Sequence, residues 1–157
     1  EYKNIIGAVI DDMVPSKMRP DTLRDICAGL KSTNPDLKLY SVVYVNDLYE
    51  KNMIPEYLPS VDVVNLWCWR KDEIVGMDRH IEQCHKVFPG RPIVMGIFMF
   101  DYGLSACATP GFLLDFQLNC AKRYLASGLI DSIVILGDRE IVKCPENAVR
   151  IRNFLRA

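Results

Sequence analysis

Two adjacent carboxylates, Asp11 and Asp12, follow directly on the apolar run from Ile5 to Ile10, and a third, Asp101, follows "GIFMF" with Tyr102 and Gly103 behind it. Trp67 and Trp69 stand two apart in "DVVNLWCWRK", so on a strand they share a face, with Trp69 nearer the strand mouth. Aromatic rings beside acids suit a carbohydrate: the rings stack on its C–H faces while the acids meet hydroxyls or the glycosidic oxygen. Asn46 brings an amide to the end of another apolar run, and Tyr102 adds a ring next to the third acid. Large strand aromatics also make good core residues, so Trp67 fits an interior as well as a pocket, whereas Trp69 fits the pocket. Asp47 and Asp138 read as turn formers.

Other chemistry lacks its parts. An acid pair after a first strand also resembles a two-component receiver domain, but that family needs a phospho-accepting Asp after the third strand and a Lys after the fifth. Those places read "WCWRK" and "LGDRE". Gly7, Gly96 and Gly137 are isolated, with neither G-x-G-x-x-G nor G-K-[ST], so no phosphate loop is predicted. Ser105 and Ser127 lack a nucleophile elbow. His80 and His85, five apart on a helix, do not share a face, and no Cys/His grouping has zinc spacing, so no metal and no cofactor is expected. The 6 cysteines form no C-x-x-C pair; Cys27, Cys84 and Cys120 in helical patterns and Cys68 in a strand read as small hydrophobes.

The elements that must position these residues follow from apolar patterning. Five runs read as strands: Ile5 to Ile10, Leu37 to Val45, Val61 to Trp69, Ile93 to Phe100, and Ser132 to Leu136. Between them lie helical stripes: Leu23, Ile26, Cys27 and Leu30; then Ile74, Met77, Ile81, Cys84 and Phe88; then Leu114, Leu118, Ala121 and Leu125, closed by Gly128 as a C-cap glycine. Pro145 starts a last helix with Ala148, Ile151 and Leu155. Pro55 and Pro59 reduce Asn46 to Ser60 to a short helix or irregular turns. Strand and helix alternate without a linker or repeat, which predicts one α/β domain over 1–157 with a parallel sheet. Two architectures fit, an open doubly wound sheet and a run of five βα units from an eight-stranded TIM barrel. Both place function at the carboxyl ends of the strands. The opposite ends carry Lys38, Asp62, Arg91 and Asp131, which read as solvated residues.

The order of motifs, Asp-Asp after a strand, then "DVVNLWCW", "GIFMFDYG" and "FQLNCAKRYLASGLIDSIVIL", resembles an uncharacterised group of bacterial glycoside-hydrolase-like TIM-barrel proteins over nearly the whole chain. Met13 stands where that pattern has an aromatic. The resemblance implies that the chain is the C-terminal part of a barrel, completed by a missing N-terminal part. Asp11 and Asp12 would then end the fourth strand and Asp101 the seventh, positions resembling the acid/base and nucleophile sites of many barrel glycosidases. One carboxyl there donates a proton to the leaving oxygen while the other attacks the anomeric carbon or activates water. Strand neighbours point to opposite faces, so only one of the adjacent acids can serve: Asp12 with Asp101 is the favoured catalytic pair, with Asp11 second. Trp69, Tyr102, Asn46 and Trp67 are the expected sugar contacts.

Composition is consistent with a carbohydrate partner rather than a polyanion. Acids outnumber bases 20 to 19 and no basic run occurs, so there is no electrostatic footprint for nucleic acid. The longest apolar run, Pro92 to Phe100, is too short to span a bilayer. The chain opens on Glu1 and enters a strand almost at once, which implies that upstream sequence, including any signal, has been removed; the residues themselves assign neither a periplasmic or secreted setting nor a cytoplasmic one.

Overall fold

The computed structural model describes residues 4–49, 54–103, 106–137 and 139–156. Along the chain come β1 (Gly7–Ile10), α1 (Pro20–Thr33), β2 (Lys38–Tyr44), α2 (Ile54–Tyr57), β3 (Val63–Trp67), α3 (Met77–Val87), β4 (Ile93–Ile97), β5 (Phe100–Asp101), β6 (Cys107–Ala108), α4 (Gly111–Ser127), β7 (Ser132–Ile135), α5 (Glu140–Lys143) and α6 (Pro145–Arg156). The main sheet is parallel throughout, in the order β1-β2-β3-β4-β7. A doubly wound sheet reverses its strand order at a switch point, and this one never does, so that alternative falls. Right-handed crossovers in unbroken order put the helices on one face, and the sheet curls into half of a TIM-type barrel.

Register divides the strands into two faces. Val43, Leu66, Met95 and Ile133 are partners across four strands and pack into the helix-covered core with Leu23, Ile81, Phe88, Leu114 and Leu118. The next row, Val42, Asn65 and Val94, faces the concave side, outside that core cluster. Each fully buried aliphatic or aromatic side chain in the core contributes roughly 1.5–3 kcal/mol. The stripes fold mostly as read, with their outer members at the edge: Leu23 and Cys27 are buried while Ile26 is half-exposed, and Leu155 of α6 faces outward.

Local signals act as the residue types dictate. Gly128 takes φ +70°, and the N–H groups of Gly128 and Leu129 close the end of α4 on the Leu125 and Tyr124 carbonyls. Pro145 opens α6, and the Pro-interrupted stretch forms a 3₁₀ turn over 45–49, the single turn of α2 and a second 3₁₀ turn over 58–60. Five cysteines are buried free thiols and Cys107 is exposed; burial pushes the Cys84 thiol up to about 12, as befits a packing residue.

Two acids at the amino ends of strands, Asp131 exposed and Asp62 half-buried, do more than meet solvent. Asp62 Oδ2 accepts the Leu39 N–H at 2.8 Å while the Asp62 N–H donates to the Leu39 carbonyl, and the Lys31 ammonium lies 2.8 Å away. Asp131 repeats the reciprocal pair with Ile93. Each side chain satisfies an amide at the amino end of the neighbouring strand and so pins the parallel register.

Candidate functional site

The first acid pair is organised by the end of β2. Strand β1 stops at Ile10, and Asp12 takes the left-handed φ of 52°, which re-aims its side chain. The alternation of faces therefore lapses just where it was used to separate the two acids. Asp11 Oδ1 and Asp12 Oδ1 both receive the Tyr44 hydroxyl, at 3.0 and 3.1 Å, and Asp11 Oδ1 also accepts the Asp12 N–H. Tyr44 carries one proton and can serve one carboxylate at a time. Its burial, then the charge of Asp11 and the other contacts with the two acids, push the phenol well above its ordinary value, so it stays a donor at any working pH. Met13, fully buried, anchors the turn in the core; the position that the family pattern gives to an aromatic is a packing position here.

Beside this pair stands an aromatic wall. Trp69, beyond the end of β3 and 43% exposed, meets Tyr44 edge-on at 5.4 Å and lies nearly parallel to Tyr102, with centroids 6.3 Å apart at 28°. Tyr102 also touches the rings of Phe98 and Phe100. Glu73 fixes the Trp69 backbone, its carboxylate accepting the N–H groups of both Trp69 and Arg70. Gly103 leaves room for the indole: a Cβ there would lie 2.6 Å from Trp69 Cδ1.

Below the rim, a cavity of about 260 Å³ opens on the concave face between Tyr44, Asn65, Trp67, Phe98 and Val134, with Asp11 and Trp69 at its mouth. Trp67 is one of its walls, lying so close to β4 that only a glycine fits beneath: a Cβ on Gly96 would stand within 2.5 Å of three indole atoms. The structure thus brings Asp11, Asp12, Trp67, Trp69 and Tyr102 to one end of the sheet.

Asp101 and Asn46 are placed differently. After Ile97 the chain leaves the sheet, and Phe100–Asp101 instead pairs antiparallel with Cys107–Ala108. Asp101 is fully buried, its Oδ1 accepting the Gly103 N–H and its Oδ2 lying 3.5 Å from the Lys71 ammonium. Its carboxylate does not line the cavity. Asn46 is exposed in the 3₁₀ turn and does not line it either, while its neighbour Asp47 is buried and accepts the Tyr44 N–H, closing that turn. Asp138 lies outside the described residues.

Sequence reading missed the residues that hold this end in shape. Gln117, buried on α4, accepts the Phe98 N–H at 2.7 Å and donates to the Phe98 carbonyl at 3.0 Å, satisfying both backbone groups where β4 ends. Asn147 on α6 donates to the carbonyls of Met99 and Thr109. A lone amide inside an apolar helical stripe was the available signal in the case of Gln117, which sits beside Leu114, Leu118 and Ala121. Among the described residues no group of three or more His, Cys, Asp or Glu side chains is placed to hold a metal ion, and no helix is long and apolar enough to cross a membrane.

No protein-family model and no curated protein matches the chain. Two solved structures are similar to it. One is the crystal structure of a glycoside hydrolase family 17 β-1,3-glucanosyltransferase from Rhizomucor miehei, with a TM-score of 0.57 and 11% identity, covering 87% of this chain and 54% of that one. The other is an active-site mutant of the Rhizomucor miehei β-1,3-glucanosyltransferase in complex with laminaritriose, with a TM-score of 0.59 and 10% identity over 86% of this chain and 54% of that one. The chain therefore spans about half the length of the structures it matches, and what it shares with them is the fold.

Proposed function

We propose that the chain is a glycoside-hydrolase-like, carbohydrate-active part of a barrel, and that it grips a sugar at the carboxyl ends of its strands. The observation that carries this reading is the composition of the rim: two carboxylates bridged by Tyr44 stand beside the stacked Trp69 and Tyr102, above an apolar cavity. Barrel enzymes keep their sites at this end. The shared fold with family 17 barrels, one of them solved with laminaritriose, makes a β-1,3-linked glucan the first ligand to try. In this reading Asp12 and Asp101 are the reacting pair, one donating to the glycosidic oxygen and the other attacking carbon or activating water, with Asp11 the alternative to Asp12, and the role requires the buried Asp101 carboxylate to be uncovered when the sugar binds. Trp69, Tyr102, Trp67 and Asn46 contact the sugar. The free edges of β1 and β7 would be closed by the three further βα units that an eight-stranded barrel requires.

A second reading, a sugar-binding domain without turnover, is favoured by one observation: Asp101 is sealed in the protein against Lys71. The two readings separate when the parent protein and Asp101→Asn are each given laminaritriose and chromogenic β-glucosides. Turnover by the parent that is lost in the variant, with binding kept, marks a hydrolase. Binding by both without turnover marks the binding domain, and the absence of binding to any of these compounds refutes the carbohydrate assignment.

A further inference from the structure

The concave face carries one buried amide below its rim. Asn65 lies in the middle of β3, 7% exposed, and lines the cavity, while its partners in the same row, Val42 and Val94, are aliphatic. Its Oδ1 has no hydrogen-bond partner among the described residues. Protein interiors almost always pair such an acceptor, so an unpaired one on a residue that lines a cavity points to a donor that arrives from outside. Ser41 and Thr109 also hold unpaired side-chain oxygens, but neither lines the cavity.

The surroundings of Asn65 define what could reach it. The walls are apolar and aromatic, with Trp67 on one side and Val134 across from it. At about 260 Å³ the space falls below the range of drug-sized pockets, which suits one ring rather than an oligosaccharide. A pyranose entering end-on can lay its C–H face along an indole and still carry a hydroxyl to the floor, where the amide oxygen is the acceptor at hand.

We propose that Asn65 is a specificity-determining residue: its Oδ1 accepts a hydrogen bond from a hydroxyl at the buried end of a single sugar ring, so the site selects rings with a donor at that position. This rests on the carbohydrate reading above and adds a residue and a depth to it. Discrimination is strong at such a place, because a ring lacking the hydroxyl leaves the acceptor unpaired in an apolar site.

The test is ligand-observed NMR on the intact protein with methyl β-D-glucopyranoside and its 2-, 3-, 4- and 6-deoxy analogues, repeated on Asn65→Leu. One analogue is expected to bind the natural protein about tenfold more weakly than the full sugar, the worth of one hydrogen bond to an otherwise unpaired acceptor. Asn65→Leu is expected to bind that analogue and the full sugar equally, and to melt at or above the temperature of the parent. Equal binding of all analogues by the natural protein, or a deficit that persists in Asn65→Leu, overturns the proposal while leaving the carbohydrate reading in place. Failure of every glucoside to bind removes both. Should Asn65→Leu fail to fold, Asn65→Ala supplies the same comparison, with the deficit again expected to vanish and its persistence again overturning the proposal.

Discussion

Replacing Gly96 by alanine tests how the cavity is built. The new methyl group would stand within 2.5 Å of three Trp67 atoms, against the roughly 3.5–4.0 Å of an ordinary carbon contact. The indole must therefore retreat by about 1 Å or more, and β4 cannot give way instead, because it is hydrogen-bonded to β3 and β7 on its two sides. Overpacking of this kind costs roughly 1–3 kcal/mol. The cavity that Trp67 lines gives the ring space to move, which sets the expected loss at about 1–2 kcal/mol, the lower part of that range. In a domain of this size that is a fall of about 2–8 °C in Tm. Urea unfolding followed by circular dichroism measures it, on Gly96→Ala alone and in a Trp67→Val background where the obstructing ring is gone. The loss should vanish in that background, while the single variant also loses sugar binding as the indole fills the cavity. An equal loss with and without Trp67 would refute the account of Gly96 as the seat of that ring.

Three further outcomes follow from the same geometry. Tyr44→Phe removes the hydroxyl that bridges Asp11 and Asp12; with both acids exposed it should cost only about 1 kcal/mol in urea, yet weaken carbohydrate binding measured by titration calorimetry. Gln117→Leu strands the Phe98 N–H and carbonyl in the interior, and two unpaired groups predict a loss of roughly 2–4 kcal/mol by chemical denaturation, far above that of Ser127→Ala on the same helix. Burial, joined by the charge of Arg79 and opposed by Glu73, holds the His80 imidazole below its ordinary value. The unfolded chain then takes up a proton that the folded one refuses, so this contribution is fully present above a pH of about 6.5 and is lost as pH falls toward the folded pKa. The urea midpoint should drop between pH 7.5 and 5.5, and the drop should shrink in His80→Gln.

Some of this was legible in the residues and some was not, for physical reasons. Runs such as Val63–Trp67, apolar but for Asn65, and Ile93–Ile97 are near-continuously apolar because both faces of a parallel strand are covered, and this made the sheet readable. Gly128 and Pro145 mark helix boundaries through their own backbone preferences, independent of context. The choice between a doubly wound sheet and a barrel depended on strand order, which no local pattern encodes. The strand-end acids were visible, but their directions were not. Alternation of faces holds only within a strand, and both Asp12, in its left-handed turn, and Asp101, beyond the end of β4, lie past that limit. Tyr44 and Asn65 read as ordinary strand residues, since what distinguishes them is the company they keep across the sheet. Asp62 and Asp131 read only as solvated residues because a carboxylate that also accepts a neighbouring strand's amide looks the same in sequence as one that meets water alone.

The central claim is that parallel strands gather aromatic rings and carboxylates into one sugar-binding rim. Isotope-labelled protein titrated with β-linked gluco-oligosaccharides tests it most directly, through the chemical shifts of the Trp67 and Trp69 indole N–H groups and the Asn65 side-chain amide. Saturable shifts concentrated at these three side chains and at Tyr102 are the predicted result. Shifts confined to the helix-covered face, or none at all at concentrations that saturate other carbohydrate-binding proteins, would contradict it.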